Sequence, residues 1–246
     1  MPPLLEIKNV TKRFGGLLAI NDVSFTVAEG QMTFIVGPNG AGKTTLFNLI
    51  TSVYHADKGQ IIFKGQDITH TTPDKAAKLG IGRTFQIVKP LRNLTVLENV
   101  MLGAFMHTSK TSAASAAATE VLKFLEMDNV AHLPARGMGL PMLKRLEIAR
   151  ALATQPKLML LDEVVAGLPT SEALRLARLL KRLPEWGISA VGGVEHVMQV
   201  VMAISDTVVV LDHGVKIAEG LPQEVVHMDV VVEAYLGPKY KELFAK

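Results

Sequence analysis

The 246-residue chain has no cysteine, which excludes disulfides and thiol chemistry and fits a reducing compartment. Aromatics are scarce, with one Trp and three Tyr, so there is no stacking platform for nucleobases. Neither sign of charge dominates: 26 Lys and Arg stand against 23 Asp and Glu, a net of +3, and the basic residues are scattered. Nucleic acid is therefore not an expected partner. Apolar residues reach 48%, yet no run approaches the ~18 uncharged apolar residues of a membrane span. The start, Met1-Pro2-Pro3-Leu4-Leu5-Glu6, has neither a basic leader nor an apolar signal core, so export is not expected.

Against these absences stands one dense motif, Gly37-Pro38-Asn39-Gly40-Ala41-Gly42-Lys43-Thr44-Thr45. It follows the β-branched run Thr33-Phe34-Ile35-Val36 and opens into Leu46-Phe47-Asn48-Leu49-Ile50, which reads as a helix. Strand, glycine loop and helix form the context that the P-loop pattern G-x-x-x-x-G-K-[ST] requires. Taken alone, its fixed positions would arise by accident about once in a hundred chains of this length; the flanking elements make it specific. The glycines let backbone N–H groups turn inward onto phosphate oxygens, and the helix dipole adds to them. Lys43 is placed for the β and γ phosphates and Thr44 for a magnesium ion.

Along the chain, residues 4–10 and 21–27 read as strands, the second with Val23, Phe25 and Val27 alternating against polar neighbours. Phe14, beside Gly15 and Gly16, either stacks on a base or caps the sheet. A strand at 60–63 precedes a helix with Thr72 as N-cap, Pro73 at N1 and Gly80 as its end. A strand at 81–85 runs into Gln86, by itself an ordinary loop residue. Thr95-Val96-Leu97-Glu98 is a capping box opening a helix to about residue 106. The small-residue stretch 109–118 is either a surface loop or the start of the helical pattern that follows it. Helices without an intervening strand read as an insertion into an α/β domain. The α/β rhythm then returns: helix 142–155, strand 158–161, helix 171–183, strand 188–191, a helix from 195, and strands at 207–211 and 215–218 around the turn Asp212-His213-Gly214. In the second of these helices Leu176, Leu179, Leu180 and Leu183 form one apolar face.

The strand Leu158-Met159-Leu160-Leu161 ends in Asp162-Glu163. Buried carboxylates are costly unless they meet a cation. Beside a P-loop, Asp162 suits a Thr44-bound magnesium and Glu163 suits the attacking water. His196, after the strand at 188–191, is either a structural histidine or a sensor of the γ-phosphate.

Together these residues resemble the ATPase subunit of an ABC transporter over essentially the whole chain. The resemblance implies an α/β P-loop NTPase (ABC ATPase) core with a mainly parallel sheet, an N-terminal antiparallel β part and an inserted helical subdomain. It implies a single domain, 1–246, with 1–88 and 142–246 as nucleotide-binding core and 89–141 as the helical subdomain. Residues 37–45 are similar to the family's Walker A loop and residues 158–163 to its Walker B strand, with catalytic Glu163. Gln86 resembles the Q-loop glutamine, which implies contact with the magnesium ion or the water and coupling to the membrane subunits; His196 resembles the switch histidine and Phe14 the adenine-stacking aromatic. Arg83-Thr84-Phe85-Gln86, Arg145-Leu146-Glu147-Ile148-Ala149-Arg150 and Val232-Glu233-Ala234-Tyr235-Leu236-Gly237 are similar to the ATPase subunits of branched-chain amino acid importers.

The implied cofactors are ATP and Mg2+. The implied partners are a second ATPase subunit, two membrane permease subunits and, indirectly, an extracytoplasmic solute-binding protein, at the cytoplasmic face of the inner membrane. The chain departs from the family at its signature, usually L-S-G-G-Q, which falls on Met138-Gly139-Leu140-Pro141-Met142. It departs again at Pro169, where the D-loop usually ends in Asp or Asn, and at Val164, where a Pro usually follows the catalytic Glu. These departures point to a partner that carries an intact signature, or else to a homodimer. They leave two further readings open: a nucleotide-gated regulatory subunit with weak turnover, and a soluble ABC ATPase outside transport.

Overall fold

The computed structural model describes residues 2–85, 89–194 and 198–236. Two sheets organise it. Leu5–Phe14 (β1) and Leu17–Val27 (β2) pair antiparallel, and β1 also pairs with Lys58–Phe63 (β4), which pairs with Gln66–Asp67 (β5). The second sheet contains Met32–Val36 (β3), Ile81–Arg83 (β6), Leu158–Asp162 (β7), Ser189–Val194 (β8), Thr207–Asp212 (β9) and Val215–Gly220 (β10). Its order is β10-β9-β3-β8-β7-β6, parallel throughout except for the β9–β10 hairpin. The helices are Lys43–Ile50 (α1), Pro73–Leu79 (α2), Val96–Ala104 (α3), Thr111–Phe124 (α4), Leu140–Leu152 (α5), Thr170–Leu180 (α6), Met198–Ile204 (α7), Pro222–Val225 (α8) and Asp229–Leu236 (α9).

The parallel sheet is buried on both faces, and side-chain alternation divides the apolar residues between two cores. Met32, Phe34, Met159, Leu161, Ala190, Val208 and Val210 face α3, α4, α5 and α6. Ile35, Leu158, Leu160, Val191, Val209 and Leu211 face α1 and the antiparallel sheet. Helices α3 and α4 have no core of their own: Val100, Leu122 and Phe124 join the cluster that contains Phe34 and Leu161. On this side Trp186, in the 3-10 turn Leu183–Trp186 after α6, lies 4.5 Å from the Phe124 ring.

Several element boundaries differ from the sequence expectation, each for a reason outside the local pattern. β1 continues past residue 10 to Phe14 because Asp57 accepts the Arg13 N–H (2.6 Å) and pairs with Lys12 (2.8 Å). The stretch 109–118 is helical from Thr111, since its small residues Ala114 and Ala118 are fully buried. α5 begins at Leu140 rather than 142, with Pro141 in the first turn, where its missing N–H costs nothing. α6 ends at Leu180, although Leu183 in the following 3-10 turn still completes the buried face. β8 runs on through Gly192 and Gly193 to Val194. A Cβ at Gly192 would lie 2.3 Å from the Phe34 ring, and one at Gly193 would lie 3.2 Å from the Phe47 ring. The expected capping box is present: the Glu98 N–H donates to Thr95 Oγ1 (3.1 Å) and the Thr95 N–H to Glu98 Oε2 (2.7 Å).

Candidate active site

β3 delivers the chain into the loop at Gly37, and α1 starts at Lys43. The loop is held so tightly that two positions admit only glycine. A Cβ at Gly37 would lie 2.1 Å from the Leu211 carbonyl oxygen, and one at Gly42 would lie 2.7 Å from that of Ala19. Gly40 instead has open space around it but a φ of +81°, the left-handed region that glycine adopts at no steric cost. Pro38 is half-buried, Asn39 exposed and Ala41 buried. The Lys43 ammonium, on a residue only 7% exposed, donates to the carbonyls of Gly37 (2.7 Å) and Pro38 (3.0 Å). Above the loop lies a cavity of about 340 Å³ whose lining includes Gly40, Gly42, Lys43, Thr44, Thr45 and His213.

A second cavity, of about 560 Å³, is lined by Thr44, Arg83, Phe85, Glu147, Arg150 and Asp162, among others. Thr44 lines both, so its hydroxyl-bearing side chain stands where the loop meets the end of β7. There Asp162 is buried and paired with Arg83, Nη2 to Oδ2 at 2.8 Å, each side chain 9% exposed. The Asp162 N–H donates to Thr84 Oγ1 (3.0 Å). Glu163 follows with φ +48°, an uncommon conformation for a side-chain-bearing residue and one that gathers at functional sites. Its N–H donates to the Gly193 carbonyl (3.0 Å), and its own carbonyl accepts from Lys144 Nζ (2.9 Å).

Burial pushes the Lys144 ammonium below the ordinary lysine range, against the pull of Glu163, Asp162 and Glu147. Burial likewise raises Glu147, opposed by Arg150, by the Phe85 N–H and by Lys144. The acidic pair 162–163 is thus flanked by a buried cation from β6 and another from α5.

Of the residues expected from the sequence, Gly40, Ala41, Gly42, Lys43, Thr44 and Thr45 line the first cavity and Thr44 and Asp162 the second, while Glu163 follows Asp162 in the chain and lines neither. Phe14 ends β1 with its ring 40% exposed and set edge-on to Tyr54 at 5.1 Å; it does not line the cavity over the loop. Gln86 and His196 lie outside the described residues. Sequence reasoning gave no role to Arg83, Lys144, Glu147 or His213. Only the buried acidic end of β7, which asks for cations, signalled that some such group was needed.

A glycine loop cradling a lysine at a helix start, with the carboxylates Asp162 and Glu163 where a strand of the same parallel sheet ends, defines a P-loop nucleotide site. The chain belongs to the ATP-binding cassette transporter family. The model described as "ABC transporter" matches residues 20–166, and "Branched-chain amino acid ATP-binding cassette transporter" matches residues 215–237. By family and fold it is an ABC ATPase.

The high-affinity branched-chain amino acid transport ATP-binding protein BraF of Pseudomonas aeruginosa is 37% identical, covering 96% of this chain and 98% of its own. The probable branched-chain amino acid transport ATP-binding protein LivG of Archaeoglobus fulgidus is 36% identical, with 98% of both covered. Among solved structures, an ATP-binding cassette of an ABC transporter in its ADP conformation superposes with a TM-score of 0.87. It is 33% identical, over 96% of this chain and 100% of that one. Among the described residues no helix is long and apolar enough to cross a membrane.

Proposed function

We propose that this chain is the ATP-hydrolysing subunit of an importer for branched-chain or related hydrophobic amino acids. In this reading it sits at the cytoplasmic face of the membrane against two permease subunits, supplied by an extracytoplasmic solute-binding protein, and closes on a second ATPase subunit. The observation that carries the chemistry is the position of Thr44 between the loop cavity and the Asp162 carboxylate at the end of β7. Loop N–H groups and the α1 dipole take phosphate oxygens, and Lys43 exchanges its two carbonyl acceptors for them.

The donors present fit Mg2+, a hard cation that binds through one or two protein oxygens plus substrate phosphates. Thr44 offers a hydroxyl and Asp162 a carboxylate, and among the described residues no larger acidic or histidine cluster competes for it. The ion would supply charge neutralisation at the phosphates. Glu163 then orients and deprotonates water, Gln86 and His196 act with it in catalysis, and Phe14, set against Tyr54 outside the loop cavity, turns to stack on the base when nucleotide binds. The substrate class is supported by the relatives' names and by the match at residues 215–237.

The test is a pair of substitutions. Glu163→Gln should retain ATP binding and lose at least 100-fold in turnover, on the order of the loss of a positioned base; Lys43→Ala should weaken binding itself. In cells lacking this chain, leucine uptake should be restored by the parent and not by Glu163→Gln. Parental turnover in Glu163→Gln would remove that residue from the mechanism.

One observation favours a second, narrower reading. The N-cap of α5 is Gly139, which offers no side-chain hydrogen bond. Pro141 in the first turn has no N–H, and Leu140 there is exposed. The anion-binding capacity expected of this helix end is reduced, so one of two composite sites in a dimer would be weak.

A further inference from the structure

We propose that Arg83 is a positioning residue for the metal-binding pair Thr44–Asp162, acting as a fork that sets the end of β7 against α1. The proposal rests on the ATPase reading above and goes beyond it. The Arg83 side chain leaves β6 and places one Nη on Asn48 Oδ1 (2.6 Å) and the other on Asp162 Oδ2 (2.8 Å). Asn48 is four residues after Thr44 on α1, so the two lie one above the other on the same helical face. The guanidinium thus ties the β7 carboxylate to the helix one turn from the Thr44 hydroxyl.

The tie is stiff. Arginine's planar fork fixes the angle between its two bonds, and the guanidinium carbon lies 5.8 Å from the Phe47 ring centre and 5.6 Å from that of Phe85. Arg83 Nε is buried and has no hydrogen-bond partner among the described residues, so the group is held by its Nη ends. Next to it Thr84 receives the Asp162 N–H, and both the backbone and the carboxylate of Asp162 are therefore fixed from β6. The ion pair uses Oδ2 of the carboxylate. Groups that orient a metal-binding carboxylate commonly govern metal affinity by roughly 10–100-fold.

Deleting the charge would strand a buried Asp162 and endanger the fold, so the test uses changes that keep it. Arg83→Lys retains the cation and loses the fork; Asn48→Ala retains the whole ion pair and releases it from α1. A fluorescent ATP analogue is titrated onto the purified chain in EDTA, then at fixed analogue with rising Mg2+, and the melting temperature is recorded for each variant. Both variants should bind the analogue in EDTA within about 2-fold of the parent. Both should need roughly 10-fold more Mg2+ to reach the midpoint of the metal-dependent change, and the double variant should need little more than either single one.

An unchanged Mg2+ midpoint with a lowered melting temperature would make Arg83 a structural residue only and overturn the proposal. A lowered midpoint would overturn it in the other sense, by showing that the guanidinium competes with the cation for Asp162. If the parent itself shows no Mg2+-dependent nucleotide binding, the ATPase reading fails first, and that failure is read on the parent alone.

Discussion

Glu147 and Lys144 show what burial does to single charges beside the site. Because the folded pKa of Glu147 is raised, its contribution to stability is fully present below the unfolded value and is lost as pH rises through the folded one. Glu147→Gln removes the ionisation and keeps an oxygen for the Phe85 N–H, which donates to Oε1 at 3.3 Å. The variant should therefore melt higher than the parent at pH 8, with the difference closing towards pH 4. Thermal melts across that range decide it. A parent that is more stable at pH 8 would mean that the Arg150 pair, at 3.5 Å, outweighs the burial of the carboxylate. Arg83 belongs to the same scale and marks the limit of reading by eye: its partners lie 35 and 79 residues away along the chain. Nothing in the run Ile81-Gly82-Arg83 says that its side chain will cross to α1 and β7.

Among the elements, legibility followed locality. The end of α2 at Gly80, whose N–H donates to the Ala76 and Ala77 carbonyls, and the box that opens α3 are satisfied by bonds within a few residues; α2 also starts after Thr72 with Pro73 in its first turn, although Thr72 makes no side-chain capping bond. The Leu176–Leu180 face is likewise a matter of helical period and is buried as expected. The sequence pattern ends this strand at residue 191, before two successive glycines. They continue the strand because rings on opposite faces of the sheet need their space. That account is testable at Gly192, whose backbone has no positive φ, so an added Cβ meets steric crowding alone. Gly192→Ala should cost about 1–3 kcal/mol by overpacking, read by urea denaturation, and Phe34→Leu in the same chain should return part of the loss. Independent, additive costs would mean that Phe34 is not what Gly192 accommodates. The loop from Gly37 to Thr45 was the most legible part of the site, since its chemistry is written in consecutive residues. Its partners Asp162 and Glu163 were found only because a buried acidic strand end needs an explanation.

For the molecule as a whole, the altered start of α5 predicts weak ATP-driven pairing between two copies of this chain. Restoring Gly139→Ser, Pro141→Gly and Met142→Gln together should return two donors to that helix end. At about 1.5–3 kcal/mol for each charge-assisted bond, ATP-driven dimerisation should strengthen more than tenfold. Sedimentation or light scattering with ATP in the Glu163→Gln background measures it, and no change would show that the departure is neutral.

The molecule also carries its own light source, on one side only. Its single tryptophan, Trp186, rests on Phe124 among the helices and is 40% exposed; the antiparallel sheet has none. Tryptophan emission, excited beyond the tyrosine band so that Tyr54 beside Phe14 does not contribute, therefore follows the helical core and not the other. If an emission-detected melt parts company with one followed by far-ultraviolet dichroism, the two cores come apart in separate steps. Any change in emission when nucleotide is added at the loop will have crossed the parallel sheet to be seen.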